Sequence, residues 1–75
     1  MTIETQNGSA LVNYDNVCCI VVEQDALIKA YITPEMSVSL ARYNSTELVV
    51  KALDFIRDAI SSGQKSISLK AVEFE

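Results

Sequence analysis

The chain has 75 residues, 49% of them hydrophobic, and its ten acidic and six basic side chains give a net charge of -4. A chain of this length builds one domain around one core, and without a basic cluster it cannot neutralise a phosphate backbone. We therefore expect a single domain that does not bind nucleic acid directly. The dense carboxylate array that imitates nucleic acid is also missing, because basic residues are interleaved with the acids.

The apolar segments are too short for a membrane protein. The longest fully apolar run covers residues 17–22, whereas a membrane-spanning helix needs about 20 residues. The first ten residues contain no basic stretch followed by an apolar one, as a secretory signal would. We therefore expect a cytoplasmic protein that makes no contact with a membrane.

The two cysteines, Cys18 and Cys19, are adjacent in an apolar run. Neighbouring residues of a regular strand point to opposite faces, so an ordinary disulfide between them is excluded and free thiols are expected. The sequence has no histidine and no third cysteine to complete a metal site, and no neighbouring base or cation to activate a thiolate. We predict that both cysteines pack as small hydrophobic residues.

The chain divides into a short arm and one domain. Residues 1–8 have no hydrophobic periodicity, which predicts a flexible N-terminal arm, and residues 9–75 are predicted to form a single α+β domain. From Ser9 onward two extended segments flank Asp15 and Asn16. These two residue types favour turns, so we expect a β-hairpin here.

Residues 26–32 allow two interpretations. As a strand, the segment places three apolar side chains on one face: Ile28, Ala30 and Ile32. As a short helix it would be capped by Asp25. The β-branched residues and the following Pro34 favour the strand.

Period-2 alternation predicts two more strands. In the fourth strand three apolar residues alternate with small ones: Met36, Val38 and Leu40. In the last segment Ile67 and Leu69 alternate with polar residues, after which the apolar phase moves to Val72 and Phe74. A one-residue change of phase is typical of a β-bulge, which we expect near Lys70–Ala71.

One helix is predicted after residue 44. Asn44 is a suitable N-cap, Glu47 three residues later completes a capping box, and Gly63 suits the C′ position. The apolar residues form one stripe, which predicts a helix that packs on a sheet through that side: Val49, Ala52, Leu53, Ile56, Ala59 and Ile60.

These elements predict an α+β fold: an antiparallel four- to five-stranded sheet with one amphipathic helix packed on one face, in the order β-β-β-β-α-β. A single helix leaves the other sheet face uncovered, unless the sheet curls enough to bury it. The residues expected on the uncovered face are Leu27, Tyr31, Ser37, Ser39, Ser66, Ser68 and one alternating set from residues 17–22.

Catalytic groups are not apparent in the sequence. There is no histidine, and two isolated glycines do not form a phosphate-binding loop. Asp54 and Asp58 lie one helical turn apart and are capable of sharing a proton or a metal, but an exposed helix face favours plain solvated charges. We expect no enzyme activity, no cofactor and no metal.

The remaining function is protein binding. In size, acidity and order of elements the chain is similar to many phage-encoded proteins that bind and inhibit host machinery such as polymerases or CRISPR effectors. That resemblance implies an inhibitor or regulator of a larger protein and assigns no residue. The alternative is a self-associating subunit that dimerises through the uncovered face or an edge strand. The predicted binding residues are Leu27, Tyr31, Ser37 and Ser39 on the sheet and Glu47, Asp54 and Asp58 on the helix.

Overall fold

The computed structural model describes residues 1–72. It contains one helix, α1 (Thr46–Ser62), and six strands: β1 (Thr2–Glu4), β2 (Leu11–Asn13), β3 (Cys19–Glu23), β4 (Leu27–Thr33), β5 (Met36–Arg42) and β6 (Ser66–Ser68). Single 3-10 turns cover Tyr14–Asn16, Gln24–Ala26 and Leu69–Val72.

The strands form two three-stranded sheets. Sheet A has the order β2-β1-β6, in which β1 is antiparallel to β2 and parallel to β6. Sheet B is an antiparallel meander with the order β3-β4-β5. The predicted α+β class with one helix is therefore confirmed, whereas the single four- to five-stranded sheet is corrected. The last strand pairs with the N-terminal strand instead of extending the meander.

The N-terminal segment contains the central strand of sheet A. Residues 1–8, predicted as a flexible arm, include β1, whose Ile3 is completely buried. A tight turn follows, in which the Thr5 amide donates to the Ala10 carbonyl at 3.0 Å and Gly8 adopts a φ of 73°. A three-residue strand carries one buried side chain, which is too little to create a detectable period in the sequence.

The predicted hairpin at Asp15–Asn16 is also corrected. These residues belong to a 3-10 turn in which the Asn13 side chain accepts a hydrogen bond from the Asp15 amide at 3.0 Å. The turn carries the chain from sheet A to sheet B, so the strands on either side of it, β2 and β3, are not paired with each other.

Sheet B is irregular at β5. Residues 27–33 form a strand, as the favoured interpretation predicted. Ile28 of β4 pairs with Ala41 of β5, but the next residue, Lys29, pairs with Ser39. Leu40 is therefore an extra residue of β5 and marks a bulge. Leu40 and Ala41 are consequently both buried, whereas Met36 at the start of the strand is 57% exposed.

The helix begins one residue later than predicted. Ser45 is the N-cap, and its hydroxyl accepts a hydrogen bond from the Leu48 amide at 3.3 Å, whereas Asn44 is exposed and precedes the cap. The C-terminal prediction is confirmed. Gly63 adopts a φ of 71°, and a Schellman motif forms because its amide donates to Ile60 while the Gln64 amide donates to Ala59.

The bulged last strand is corrected as well. β6 ends at Ser68, and a 3-10 turn over Leu69–Val72 replaces the predicted bulge near Lys70–Ala71. Leu69 itself is completely buried. Phe74 lies outside the described residues.

The hydrophobic core is shared by both sheets and the helix. Sheet A and the turn after it supply Ile3, Val12, Ile67 and Leu69, sheet B supplies Ile28, Ala30, Leu40 and Ala41, and the helix supplies Val49, Ala52, Ile56 and Ala59. The predicted helix stripe is therefore only partly buried, because Leu53 is half-buried and Ile60 is 41% exposed.

Candidate protein-binding face

One face of sheet B lies away from the core. On the core side, Ala30 and Ile28 are completely buried, and they are the cross-strand partners of Ile20 and Val22. The alternate residues of the three strands point to the opposite side, where they are partly or fully exposed. This surface, called the open face below, consists of Cys19, Val21, Glu23, Leu27, Lys29, Tyr31, Ser37 and Ser39.

A three-residue polar cluster crosses the open face. The Tyr31 hydroxyl donates a hydrogen bond of 2.6 Å to Oε2 of Glu23, and the Lys29 Nζ lies 3.5 Å from Oε1 of the same carboxylate. The hydrogen bond from Tyr31, aided by the Lys29 charge, holds the pKa of Glu23 below its ordinary value of 4.5. The same bond raises the pKa of Tyr31 above 10.0. The cluster therefore fixes the aromatic ring on the surface with its hydroxyl already engaged.

Tyr31→Phe tests this cluster. Removing the donor is expected to move the pKa of Glu23 upward toward 4.5. Because the folded-state pKa of Glu23 is lowered, the cluster adds stability above the ordinary pKa and loses that contribution as the pH falls through the lowered value. The free energy of unfolding of the variant should therefore decrease less steeply than that of the wild type as the pH falls into the acid range.

Titration of the Glu23 carboxyl carbon by NMR measures the shift directly. Tyr14→Phe, at a half-buried tyrosine outside the open face, is the matched control and should leave the Glu23 titration unchanged. An identical Glu23 midpoint in wild type and in Tyr31→Phe contradicts the hydrogen bond.

The cysteines lie at the start of β3 and not in the core. Cys19 is the first residue of β3 and the cross-strand partner of Tyr31, and the amide of Cys18, which precedes the strand, donates to the Tyr31 carbonyl at 2.7 Å. Both thiols are free, as predicted, but both are exposed, so the predicted packing role is wrong. The regular alternation on which it relied ends at Cys19.

A shallow depression of about 540 Å³ lies beside the two cysteines. Its walls are mainly aliphatic, sulfur and aromatic. The lining residues are Cys18, Cys19, Val21, Val22, Glu23, Tyr31, Thr33 and Pro34. A mostly apolar concavity with few polar groups suits an apolar side chain of a partner.

The structure brings together the four sheet residues predicted for binding. Tyr31 is the cross-strand partner of Ser37, and Lys29 is the partner of Ser39, so both serines border the polar cluster. Leu27, half-buried, lies at the other end of β4. Tyr31 itself is half-buried. The two other serines expected on this face, Ser66 and Ser68, belong to sheet A.

The predicted acidic residues of the helix form a separate surface. Glu47, Asp54 and Asp58 are all exposed on α1. Asp54 accepts a hydrogen bond from the Arg57 guanidinium at 2.8 Å, an exposed pair of the kind that adds little stability. None of the three carboxylates belongs to the open face.

The alternating set expected from residues 17–22 is present on the open face as Cys19 and Val21, whereas sequence reasoning missed the exposure of Cys18 and the pairing of Glu23 with Lys29. Glu23 and Lys29 are six residues apart in sequence and meet only through the register of β3 against β4, in which Val21 opposes Lys29 and Glu23 opposes Leu27. The available signal was a short connection between two apolar strands, which places charges near its ends close together.

Neither a cluster of metal ligands nor a membrane-spanning helix is found in residues 1–72. In that range no three histidine, cysteine, aspartate or glutamate side chains come together as metal ligands. No helix in the same range is both long and apolar enough to cross a bilayer.

Comparison with known proteins identifies no relative. No protein family model matches the sequence, and no significant match occurs among curated proteins or solved structures.

Proposed function

We propose that this chain is a small, acidic, non-catalytic protein-binding module whose partner docks on the open face of sheet B. The observation that supports this proposal is the composition of that face. It presents a tyrosine, aliphatic side chains and two serines beside a 540 Å³ depression, on a sheet whose other side is occupied by the core.

Tyr31 is the central residue of the proposed interface. A tyrosine presents a large, rigid and amphipathic surface at low entropic cost, which is why this residue is enriched among the strongest contributors to binding. The hydrogen bond to Glu23 and the cross-strand contact with Ser37 hold the ring in place before a partner arrives. Such preorganisation lowers the entropy lost on association.

The charge of the chain indicates the chemistry of the partner. A net charge of -4 favours association with a basic protein surface, and opposite charges raise the rate at which two proteins meet. The partner we infer therefore presents an apolar side chain that enters the depression, surrounded by lysines or arginines. Inhibition or regulation of a larger protein, including inhibition of host machinery by a phage-encoded protein, is the more specific form of this proposal and rests on size, acidity and order of elements.

The experiment is affinity capture from the native host, followed by measurement of the dissociation constant for the identified partner with purified variants. Tyr31→Ala and Ser39→Lys are each expected to weaken binding by 1–2 kcal/mol or more, about 5- to 30-fold in Kd. Circular dichroism establishes that both variants remain folded.

Ser66→Lys is the matched control, because it introduces the same charge at an exposed serine of sheet A. Because this variant changes only the net charge, its dissociation constant should differ from that of the wild type by no more than about twofold, which corresponds to about 0.4 kcal/mol. If neither Tyr31→Ala nor Ser39→Lys changes the affinity more than Ser66→Lys, the partner does not bind the open face. The acidic residues Glu47, Asp54 and Asp58 of α1 then become the next surface to test.

A further inference from the structure

The outer edge of β3 has backbone groups that no described residue satisfies. The Tyr31 carbonyl of β4 accepts a hydrogen bond from the Cys18 amide, just before β3, so Tyr31 and the other odd-numbered residues of β4 direct their backbone groups toward β3. There they pair with Cys19, Val21 and Glu23. The backbone N–H and C=O groups of Ile20 and Val22 consequently point outward, away from the sheet.

The other edge of sheet B is partly covered. Along β5, the Gln6 amide donates to the Leu40 carbonyl at 2.8 Å, and the Gln6 side chain accepts from the Arg42 amide at 2.9 Å. In sheet A the edge strands, β2 and β6, have only three residues each. Among the strands of residues 1–72, β3 is thus a five-residue edge without such cover.

β3 also lacks the devices that normally prevent edge pairing. Natural edge strands carry lysine, proline or inward-pointing charges that discourage a second strand. β3 has the sequence CIVVE, with no basic residue and no proline, and the carboxylate of its one charged residue, Glu23, is engaged by Tyr31 and Lys29. Val22 is 47% exposed on this edge.

We propose that β3 pairs antiparallel with β3 of a second copy of this chain, about a twofold axis at Val21. In that register Ile20 opposes Val22 of the other copy, and the outward backbone groups of both form four hydrogen bonds. Cys19 opposes Glu23 of the other copy, so no like charges face each other across the junction. A strand that is apolar and free of facing like charges is complementary to itself.

The surfaces beside β3 accommodate the side chains of an added strand. Toward the helix, a groove of about 220 Å³ is lined by Val17, Leu53 and the exposed Ile60 among other residues, together with Arg57. Toward the open face lies the 540 Å³ depression. Alternate side chains of the incoming strand point to one side of the sheet or the other and lie next to these surfaces, as in other cases of strand addition, and the depression stays open to a partner. The dimer has one six-stranded sheet B and a continuous open face.

This inference goes beyond the proposed function, because it concerns the chain alone and requires no other protein. Site-specific crosslinking tests it. In a background with Cys18→Ser and Cys19→Ser, a single Val21→Cys substitution places two thiols at the twofold axis. Directly opposed residues of a non-hydrogen-bonded pair have Cα atoms about 4.5 Å apart, within the range that a disulfide bridges. Mild oxidation is expected to produce a covalent dimer.

Two cysteine controls define the position and the register. Leu11→Cys, on the 72% exposed Leu11 of β2, should give little covalent dimer. Val22→Cys should also give little, because Val22 opposes Ile20 and not its own counterpart, beyond the distance of about 7 Å that a disulfide tolerates. If Val21→Cys crosslinks no more than Leu11→Cys, or no more than Val22→Cys, the proposed pairing is wrong.

Sedimentation of the protein with its natural cysteines gives an independent measurement under reducing conditions. The expected mass is twice the 8.2 kDa of one chain, and Val22→Lys is expected to halve it, with an unchanged circular dichroism spectrum. A wild-type protein that remains monomeric at about 100 μM, a concentration that detects dimers as weak as about -5 kcal/mol, overturns the proposal. These measurements include no partner protein, so their failure leaves the test of the open face with Tyr31→Ala separate.

Discussion

Replacing Ile3 with alanine is expected to lower the free energy of unfolding by about 2–5 kcal/mol, the range for truncation of a fully buried aliphatic side chain. Ile3 is completely buried in β1, between β2 and β6. A domain of this size draws only about 3–5 kcal/mol of net stability from its core. The variant therefore loses a large part of its stability, and thermal unfolding followed by circular dichroism should show a midpoint lower by at least about 8 °C.

Leu11→Ala is the matched control for Ile3→Ala. Leu11 lies on the neighbouring strand of the same sheet and opposes Glu4, but it is 72% exposed. Its truncation should change stability by no more than about 0.5 kcal/mol. Equal, small effects of the two substitutions would support the interpretation of residues 1–8 as an arm and contradict the buried β1.

Leu40→Ala is expected to cost about 2–5 kcal/mol as well, because Leu40 is 1% exposed at the bulge of β5. Loss of this side chain leaves a cavity in the core next to the bulge. Urea unfolding at matched protein concentration measures the change in free energy.

Met36→Ala provides the comparison within the same strand. Period-2 alternation treats Met36 and Leu40 as equivalent core positions, so it predicts similar losses for both. In the structure Met36 is 57% exposed, and its truncation should cost no more than about 0.5 kcal/mol. A loss for Met36→Ala as large as that for Leu40→Ala would mean that the regular register of β5 continues to Met36, without the second shift between Tyr31 and Thr33.

Local features of the fold were predictable from sequence. The helix has a continuous apolar stripe over 17 residues, and Gly63 adopts the left-handed conformation that a Schellman motif requires. β4 was likewise predicted, because β-branched residues followed by proline favour a strand. The N-cap was misplaced by one residue because Asn44 and Ser45 are both good capping residues, and only the hydrogen bond from Leu48 distinguishes them.

Part of the candidate site was also predictable, because it depends on the alternation of residues along single strands. The alternation in β4 placed Tyr31 on the sheet face away from the buried Ala30, and the alternation in β5 placed its serines on the same face as Tyr31. The exposure of the cysteines was not predictable, because it depends on where β3 begins, at Cys19, and on which face of sheet B lies away from the core. The Glu23–Lys29 contact likewise depends on register.

By itself, the sequence determined the class of fold, the helix, strand β4 and the acidic character of the surface, since these depend on residues close together in the chain. Only the tertiary structure decided that there are two sheets. The parallel pairing of β1 with β6 joins Ile3 to Ile67, 64 residues apart, and each of these three-residue strands buries only that one side chain. Such short strands have no period of their own, and their burial depends on the core that both sheets and the helix build together.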